Sequence, residues 1–246
     1  MEIAPVPGIP MIKRGDNLGR VIGEAIRRSG LGLEDGDVVV VAQKIVSKAE
    51  GRIVDLSRVS PSRSAVELAG RLKKDPREVE VILRESKEIV RLGHVLISRT
   101  EHGFVCANAG ADRSNAGPGM MTLLPRDPDR SARRIRRELE RTFKRRIAVI
   151  ISDTWGRPFR MGCVGMAIGA SGMEPLMRLR GERDLHGRML RTTVLCPADS
   201  IAAAAVLVMG ESGEGTPVAI VRGARYRPGR GGIGKVVMPP GRDLFR

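Results

Sequence analysis

The chain has 246 residues, of which 41% are hydrophobic and 29% are charged, a composition typical of a globular protein with a sizeable core. No run of about 18 apolar residues is present, and the N-terminus lacks the features of a secretory signal, so we expect a cytoplasmic protein that does not enter a membrane. The formal net charge of +15 is compatible with nucleic-acid binding, but aromatic residues make up only 2% of the chain and leave little for base stacking, so nucleic acid is not the expected partner.

The first part of the chain predicts an extended segment, a helix and a strand. Three prolines within residues 1–16 exclude a helix there. Asn17 can cap a helix whose apolar positions, from Leu18 to Ile26, share one face. The run DVVVVA over 37–42 then predicts a buried strand.

The middle of the chain predicts two helices and a pair of strands. Residues 62–75 and 77–92 are expected to be helical, with a break at Pro76. The segment HVLISRTEHGFVCANAG predicts two strands joined by a short turn at His102 and Gly103.

The most highly charged segment, residues 127–146, predicts a surface helix with one buried stripe rather than a nucleic-acid-binding arm. The stripe is formed by apolar residues at helical spacing, namely Ala132, Ile135, Leu139 and Phe143.

The last part of the chain continues the alternation of strands and helices. Strands are predicted over 147–152 and 217–223. The segment RTTVLCPADS predicts a strand that leads into an alanine-rich helix over 200–209. The tail over 225–246 contains several glycines and prolines, and we expect it to be loosely ordered.

This irregular alternation predicts an α/β or α+β fold, with mixed β-sheets and flanking helices. No G-x-G-x-x-G opens a helix after the first strand and no Walker A loop is present, which argues against the common nucleotide-binding folds. No linker long enough to separate two autonomous domains is found, so residues 1–246 are predicted to form a single domain.

The cysteines and histidines are too scattered to suggest a disulfide framework or a zinc site. The chain contains three of each, and no cysteines form a C-x-x-C pair. Any metal ion would therefore be bound by oxygen ligands, which favours Mg²⁺ or Mn²⁺.

Five segments combine glycine with an isolated acid or base, and together they suggest a site for a metal-bound polyphosphate. They are PGIPMIKRGD (7–16), SKAEGR (47–52), NAGADRSN (108–115), SDTWGRPFRMG (152–162) and MGESGEGTP (209–217). Each segment alone can be read as an ordinary turn. In combination they supply carboxylates for cations, basic side chains for phosphate oxygens, and glycine amides that can approach a phosphate closely.

The order and spacing of these segments resemble the coenzyme F420:L-glutamate ligase family, over about residues 7–223. The resemblance implies a GTP-dependent amide ligase that adds L-glutamate to F420-0, a phospholactyl deazaflavin, and γ-linked glutamate to F420-1. It also implies a family-specific α/β fold, an intertwined homodimer, two Mg²⁺ or Mn²⁺ ions per site, and K⁺ as an additional candidate cofactor.

The resemblance also assigns site residues. The implied metal ligands are Asp112, Asp153, Thr154 and Glu211. The implied nucleotide contacts are Ile9, Pro10, Met11, Ile12, Gln43, Lys44, Lys48, Asn115, Met209, Gly210, Glu211, Ser212, Gly213, Glu214, Gly215 and Thr216.

The chemistry implied for such a ligase needs positioning and charge neutralisation rather than a covalent nucleophile. Transfer of the γ-phosphoryl group of GTP to the substrate carboxylate would give an acyl phosphate, which the glutamate amine then attacks. We expect Lys48 to steady the transferred group, and Arg157 and Arg160 to bind the phosphodiester of F420-0 or the carboxylates of glutamate.

Three alternatives remain open at this point. The first is a ligase of the same fold that uses another acid, acceptor or nucleotide. The second is a basic nucleic-acid-binding protein, which would bind in a strongly salt-dependent manner without needing Asp112 or Asp153. The third is a metal-dependent phosphohydrolase, which would release phosphate from GTP without glutamate.

Overall fold

The computed structural model describes residues 1–243, and its mixed content of helices and strands confirms the predicted α/β class. The α-helices of these residues are α1 (Leu18–Ser29), α2 (Gln43–Ala49), α3 (Arg63–Leu72), α4 (Pro76–Glu85), α5 (Pro128–Phe143) and α6 (Pro197–Met209). The strands are β1 (Glu2–Pro5), β2 (Val38–Ala42), β3 (Ile53–Asp55), β4 (Ser86–Leu92), β5 (Leu96–Thr100), β6 (Val105–Ala107), β7 (Met120–Thr122), β8 (Ala148–Arg157), β9 (Arg160–Glu174), β10 (Met177–Arg178), β11 (Val194–Leu195), β12 (Val218–Arg222) and β13 (Arg227–Gly229).

The main sheet has six strands in the order β1-β12-β2-β8-β9-β13. Only β2 and β8 pair in parallel, and the other neighbours are antiparallel. The runs VVVV in β2 and AVII in β8 are completely buried, as expected for strands covered on both faces. The predicted strands over 37–42 and 217–223 are therefore confirmed within a residue or two at their ends.

Helices α5 and α6 both pack against β9, and glycines in β9 allow their backbones to approach closely. A Cβ atom at Gly165 would lie 2.5 Å from the carbonyl oxygen of Ala202 in α6. A Cβ atom at Gly169 would lie 2.6 Å from Pro128 at the start of α5. The glycines of GMAIGAS are thus required by helix packing.

The predicted helix starts follow from capping chemistry. The side chain of Asn17 accepts a hydrogen bond from the backbone N–H of Arg20, 3.2 Å away, and α1 ends at Gly30 in a left-handed conformation. Asp127 caps α5 in the same way, and the expected apolar stripe of α5 is buried apart from its last member, Phe143, which is half-buried.

A second hydrophobic cluster lies outside the main sheet, and its residues fall between Leu56 and Leu123. It is formed by α3, α4, the three-stranded sheet β4-β5-β6 and the small sheet β3-β7. No helix in residues 1–243 has both the length and the apolar character needed to cross a membrane.

Two predictions in the first half of the chain are wrong in part. The helix expected over 77–92 ends at Glu85, and residues 86–92 form β4, which pairs with β5. The reason is that pairing with β5 overrides the local helical spacing. The β-branched residues Ile89 and Val90 also favour a strand. Helix α2, which directly follows β2, was not predicted because its seven residues are too short for a clear period.

The strand expected over 147–152 is much longer than predicted. It begins at Ala148 and continues to Arg157, and it is paired with β9 from Val149 onwards. Its neighbour β2 ends opposite Ser152, so the polar residues that follow lie on a two-stranded ribbon formed by β8 and β9 beyond the main sheet. Asp153 is therefore part of a strand rather than of a loop.

The C-terminal part also differs from expectation. Helix α6 begins at Pro197, three residues before the predicted start. Within the tail predicted to be loosely ordered, β13 pairs with β9 and Ile233 is buried in the main cluster. The last residues of that tail, 244–246, lie outside the described residues.

Candidate active site

A cavity of about 1400 Å³ lies where the main sheet meets the second cluster. Its lining includes Ile12 and Ile45 from the main cluster and Ala111 from the second cluster. All five glycine-bearing segments contribute to it. Among the described residues, the lining includes every predicted site residue except Arg160, which lies exposed at the start of β9.

Asp112 is held by a network of donors. Its carboxylate accepts a hydrogen bond from the backbone N–H of Ser114 (2.9 Å), forming the Asx-turn that the sequence allows, and another from the Ser114 hydroxyl. The ammonium of Lys44 lies 2.8 Å from the same carboxylate and also donates to the Ser114 hydroxyl. Burial opposes ionisation of Asp112, but these hydrogen bonds and the charge of Lys44 together lower its pKa.

Asp153 has different surroundings. The indole N–H of Trp155 donates to its Oδ2 atom at 2.8 Å, which is possible because residues two apart in a strand share a face. The indole packs against Phe104, with ring centres 5.4 Å apart, and Phe104 stacks on His102. Burial raises the pKa of Asp153 to about 6, against the opposing effects of the Trp155 hydrogen bond and the Lys44 charge.

The loop over 210–216 is tied to both acidic regions. Thr154 donates from its hydroxyl to Glu211 Oε2 at 2.9 Å, and Asn115 donates from its side-chain amide to the carbonyl oxygen of Ser212 at 3.3 Å. Glu214 turns back to accept from the backbone of Ser212, so it faces its own loop rather than another segment. Gly210 has a φ of 72°, and a Cβ atom there would collide with the Glu214 carboxyl group. Glycine is therefore required at that position.

Helix α2 directs two ammonium groups towards the cavity. Lys44 and Lys48 are four residues apart, so they lie on the same helix face, and both belong to the lining. Burial, together with the charge of Lys44, lowers the pKa of Lys48. Gln43 is only 2% exposed, and its side-chain amide oxygen accepts a buried hydrogen bond from the Ser47 hydroxyl at 2.8 Å.

The two arginines of the ribbon have different positions. Arg157 lies in the cavity lining and donates to the carbonyl oxygen of Met161 at 3.1 Å. Arg160 pairs with Arg157 in the strand register and lies at the exposed tip of the ribbon. Only Arg157 of the two thus lies in the cavity, and the binding of a substrate anion by Arg157 and Arg160 stays a prediction.

Sequence reasoning did not identify Ser114 or Phe104 and gave Trp155 no role. Ser114 could have been found, because a serine two residues after an aspartate is a common Asx-turn partner. The contact of Trp155 with Asp153 required knowledge that β8 continues past Ser152. Phe104 lies about fifty residues away in the chain and left no local signal.

The acidic side chains fit the predicted cations in chemistry. Within residues 1–243, no group of three or more histidine, cysteine or acidic side chains could hold a metal ion by itself. Mg²⁺ that acts on phosphates commonly uses only one or two carboxylates and completes its shell with phosphate oxygens and water. Asp112, Asp153 and the Thr154–Glu211 pair provide such oxygen ligands at one cavity.

The fold and the cavity thus define an α/β protein whose candidate site combines carboxylates, ammonium groups and a glycine-rich loop, a set suited to a cation-bound polyanion. The family model for F420-0:gamma-glutamyl ligase matches residues 8–223, and the chain belongs to this family. This result confirms the resemblance inferred from the motifs.

Curated relatives agree with the family match over whole chains. The coenzyme F420:L-glutamate ligase of Methanothermobacter thermautotrophicus is 50% identical over 100% of this chain and 99% of its own length. The protein of the same name from Methanopyrus kandleri is 47% identical over 100% of this chain and 98% of its own length. That from Methanocaldococcus jannaschii is 46% identical over 97% of this chain and 94% of its own length.

Proposed function

We propose that the protein is a GTP-dependent ligase that joins L-glutamate to F420-0, and γ-linked glutamate to F420-1, in the biosynthesis of coenzyme F420. Membership of the F420-0:gamma-glutamyl ligase family supports the substrates and the ligase reaction. The observation that supports a nucleotide-dependent mechanism is the grouping of Asp112, Asp153, Lys44, Lys48 and the 210–216 loop around one cavity.

The proposed reaction has two balanced steps. The substrate carboxylate attacks the γ-phosphorus of GTP, which forms an acyl phosphate and releases GDP. The glutamate amine then attacks the acyl carbon, inorganic phosphate leaves, the amide bond forms and the amine loses a proton. A free carboxylate cannot undergo this second step, because its leaving group would be oxide.

The protein's own residues would bind and orient the reactants. Asp112 and Asp153, with Thr154 and Glu211, would hold Mg²⁺ or Mn²⁺, which when bound neutralise phosphate charge. Lys48 would contact the transferred phosphoryl group, where its partly buried ammonium strengthens the interaction. Backbone amides of the glycine-rich 210–216 loop would surround phosphate oxygens.

The remaining predicted contacts divide by their position in the cavity. Ile9 to Ile12 line it with Asn115 and would contact the nucleoside. Arg157 would bind an anionic group of F420-0 or glutamate. Arg160, outside the lining, would reach only a part of a ligand that extends past the tip of the ribbon.

Mass spectrometry of the reaction products tests this function directly. F420-0 is incubated with the protein, glutamate, Mn²⁺ and either GTP or ATP, with and without K⁺. We expect a gain of one or more glutamyl units with GTP and none with ATP. Absence of glutamylated product, with release of GDP that depends on glutamate and another acid, would assign the ligase reaction to a different substrate. Phosphate release from GTP without glutamate would instead favour a phosphohydrolase.

We also propose that the protein is a homodimer. Several large apolar side chains are unusually exposed: Phe159 (91%) and Met161 (97%) at the ribbon tip, and Leu185, which is fully exposed, in the segment between β10 and β11. Burial of these side chains against a second copy would remove apolar surface from water. Light scattering coupled to size-exclusion chromatography should give twice the monomer mass, and a monomer at micromolar concentration would contradict the proposal.

A further inference from the structure

Lys44 makes contacts that differ from those expected of a simple nucleotide-binding residue. Its ammonium lies 2.8 Å from a carboxylate oxygen of Asp112 and donates to the Ser114 hydroxyl, which itself donates to that same oxygen. The side chain is mostly buried within this contact, with 22% of its surface exposed. The ammonium therefore occupies a carboxylate oxygen of Asp112, which is proposed to bind a metal ion.

Lys44 also affects the second carboxylate of the cavity, Asp153. The charge of Lys44 also acts on Asp153, and the two carboxylates repel each other. Without a counter-ion, two negative charges would lie in the same cavity with no positive charge nearby. This is unfavourable, because both carboxylates are partly removed from water. The ammonium supplies this compensation in the absence of a divalent cation.

We propose that Lys44 is a displaceable internal counter-ion, which binds Asp112 before the divalent cation arrives and moves to phosphate oxygens of the nucleotide once the cation has bound. This inference rests on the proposed function, since it assumes the cation and the nucleotide. A lysine suits such a role, because its charge sits on a flexible stem with three equivalent donors and can exchange one acceptor for another.

Lys48 provides an internal comparison one helical turn away. It faces the same cavity, but within the described residues no carboxylate lies at ion-pair distance from its ammonium. If Lys44 acts through its contact with Asp112, removal of Lys44 should affect cation binding much more than removal of Lys48. If only the overall positive charge matters, the two substitutions should have similar effects.

The first test measures Mn²⁺ binding without nucleotide, using electron paramagnetic resonance to count free Mn²⁺. Lys44→Met should bind Mn²⁺ about tenfold more tightly than the wild type, or about 1.4 kcal/mol, because the ion no longer competes with an ammonium. Lys44→Arg keeps the charge and should stay near the wild-type affinity. Lys48→Met should gain threefold at most, and Lys235→Met, which removes an ammonium paired with Glu174 outside the cavity, should gain nothing.

The second test measures displacement of a fluorescent GTP analogue by GTP in the presence of Mg²⁺. Lys44→Met should weaken GTP binding about fivefold, because the phosphates lose one cation. Unchanged or weaker Mn²⁺ binding by Lys44→Met would overturn the counter-ion role, as would an equal gain in Lys48→Met. Unchanged GTP affinity would overturn the transfer to phosphate.

The proposed function can fail separately from this inference. If the wild type and Asp153→Asn bind Mn²⁺ equally weakly, the carboxylates do not form a cation site and the proposed function loses its basis. If the wild type binds Mn²⁺ through Asp153 but Lys44→Met binds no more tightly, the cation site stands and only the role of Lys44 is wrong. Circular dichroism of each variant confirms that a change in binding does not reflect loss of the fold.

Discussion

The 108–115 loop and the β8–β9 ribbon each bring one aspartate to the same cavity, yet the two regions shift the pKa of their aspartate in opposite directions. In the loop, Asp112 is surrounded by an ammonium and a serine, which lower its pKa despite burial. In the ribbon, the Asp153 carboxylate has only neutral donors, the indole of Trp155 and the backbone N–H of Thr154, and burial raises its pKa to about 6. The same residue type thus has a charge that is stabilised in one region and disfavoured by burial in the other.

This difference suggests a division of work between the two regions. The loop is already paired with a cation, the Lys44 ammonium of α2, which can hold the Asp112 carboxylate in place without a metal ion. The ribbon presents a carboxylate whose ionised form lacks a strong partner, so it gains most from an added cation. Under the proposed function, Asp153 provides the stronger drive for cation binding, and Asp112 provides a preformed position.

The largest expected effect is on turnover. Asp153→Asn and Asp112→Asn should each reduce glutamylation of F420-0 by about a hundredfold or more, because loss of one ligand weakens electrostatic stabilisation of the transferred phosphoryl group. The measurement is product formation followed by mass spectrometry at saturating Mn²⁺. Glu182→Gln, which alters a carboxylate outside the cavity, is the matched control. Near-wild-type turnover in either aspartate variant would remove that residue from the site.

A second expected effect concerns the cysteines next to the two regions. Cys106 in β6, close to the loop, is buried and its pKa is raised to about 12 by desolvation, with a further contribution from Asp153. At pH 8 almost none of it is thiolate, so iodoacetamide should alkylate it at least about a hundredfold more slowly than the exposed Cys163 of the ribbon.

Peptide mapping after timed alkylation measures this ratio. Cys196 serves as the control, because its pKa is also raised to about 12 by burial, so it should react slowly as well. A rise in pH towards 10 should increase the fraction of thiolate, and with it the rate, at both Cys106 and Cys196. Equal rates at Cys106 and Cys163 would show that the cavity wall beside the loop is open to solvent.

The smallest expected effect is on stability in metal-free buffer. Asp112→Asn should lower the free energy of unfolding by about 1 kcal/mol, because it removes charge-assisted hydrogen bonds that water partly screens at this 42% exposed side chain. Asp153→Asn should change it by less than about 1 kcal/mol, since the amide oxygen can still accept from Trp155 and a buried charge is removed.

Urea denaturation in the presence of EDTA measures both values. The cost of Asp112→Asn should be smaller when Lys44 is already methionine, because the ammonium partner is then absent. If both aspartates destabilise equally when replaced, the contrast between the two regions is wrong.

Much of the scaffold was predictable from local sequence. Strands β2 and β12 followed from apolar runs rich in β-branched residues, and α1 from Asn17 and its apolar face. The five glycine-bearing segments predicted residues that line the cavity. They could be recognised because a site for a polyanion is expected to combine carboxylates, basic side chains and glycine amides. Three features were missed, since each depends on a distant pairing partner. They are the full length of β8, the strand over 86–92 and the ordered structure within the C-terminal tail.

The sequence by itself determined the class of fold, the family and the set of polar groups available for a site. These properties depend on residue types and on short-range spacing, which can be determined from the sequence without a structure. The tertiary structure decided which of these groups meet: that Lys44 binds Asp112 across nearly seventy residues, that Trp155 orients Asp153, and that Arg160 lies outside the cavity. Such contacts depend on how strands and helices pack, and so does the charge state of each carboxylate, because burial and neighbouring charges exist only in the folded protein.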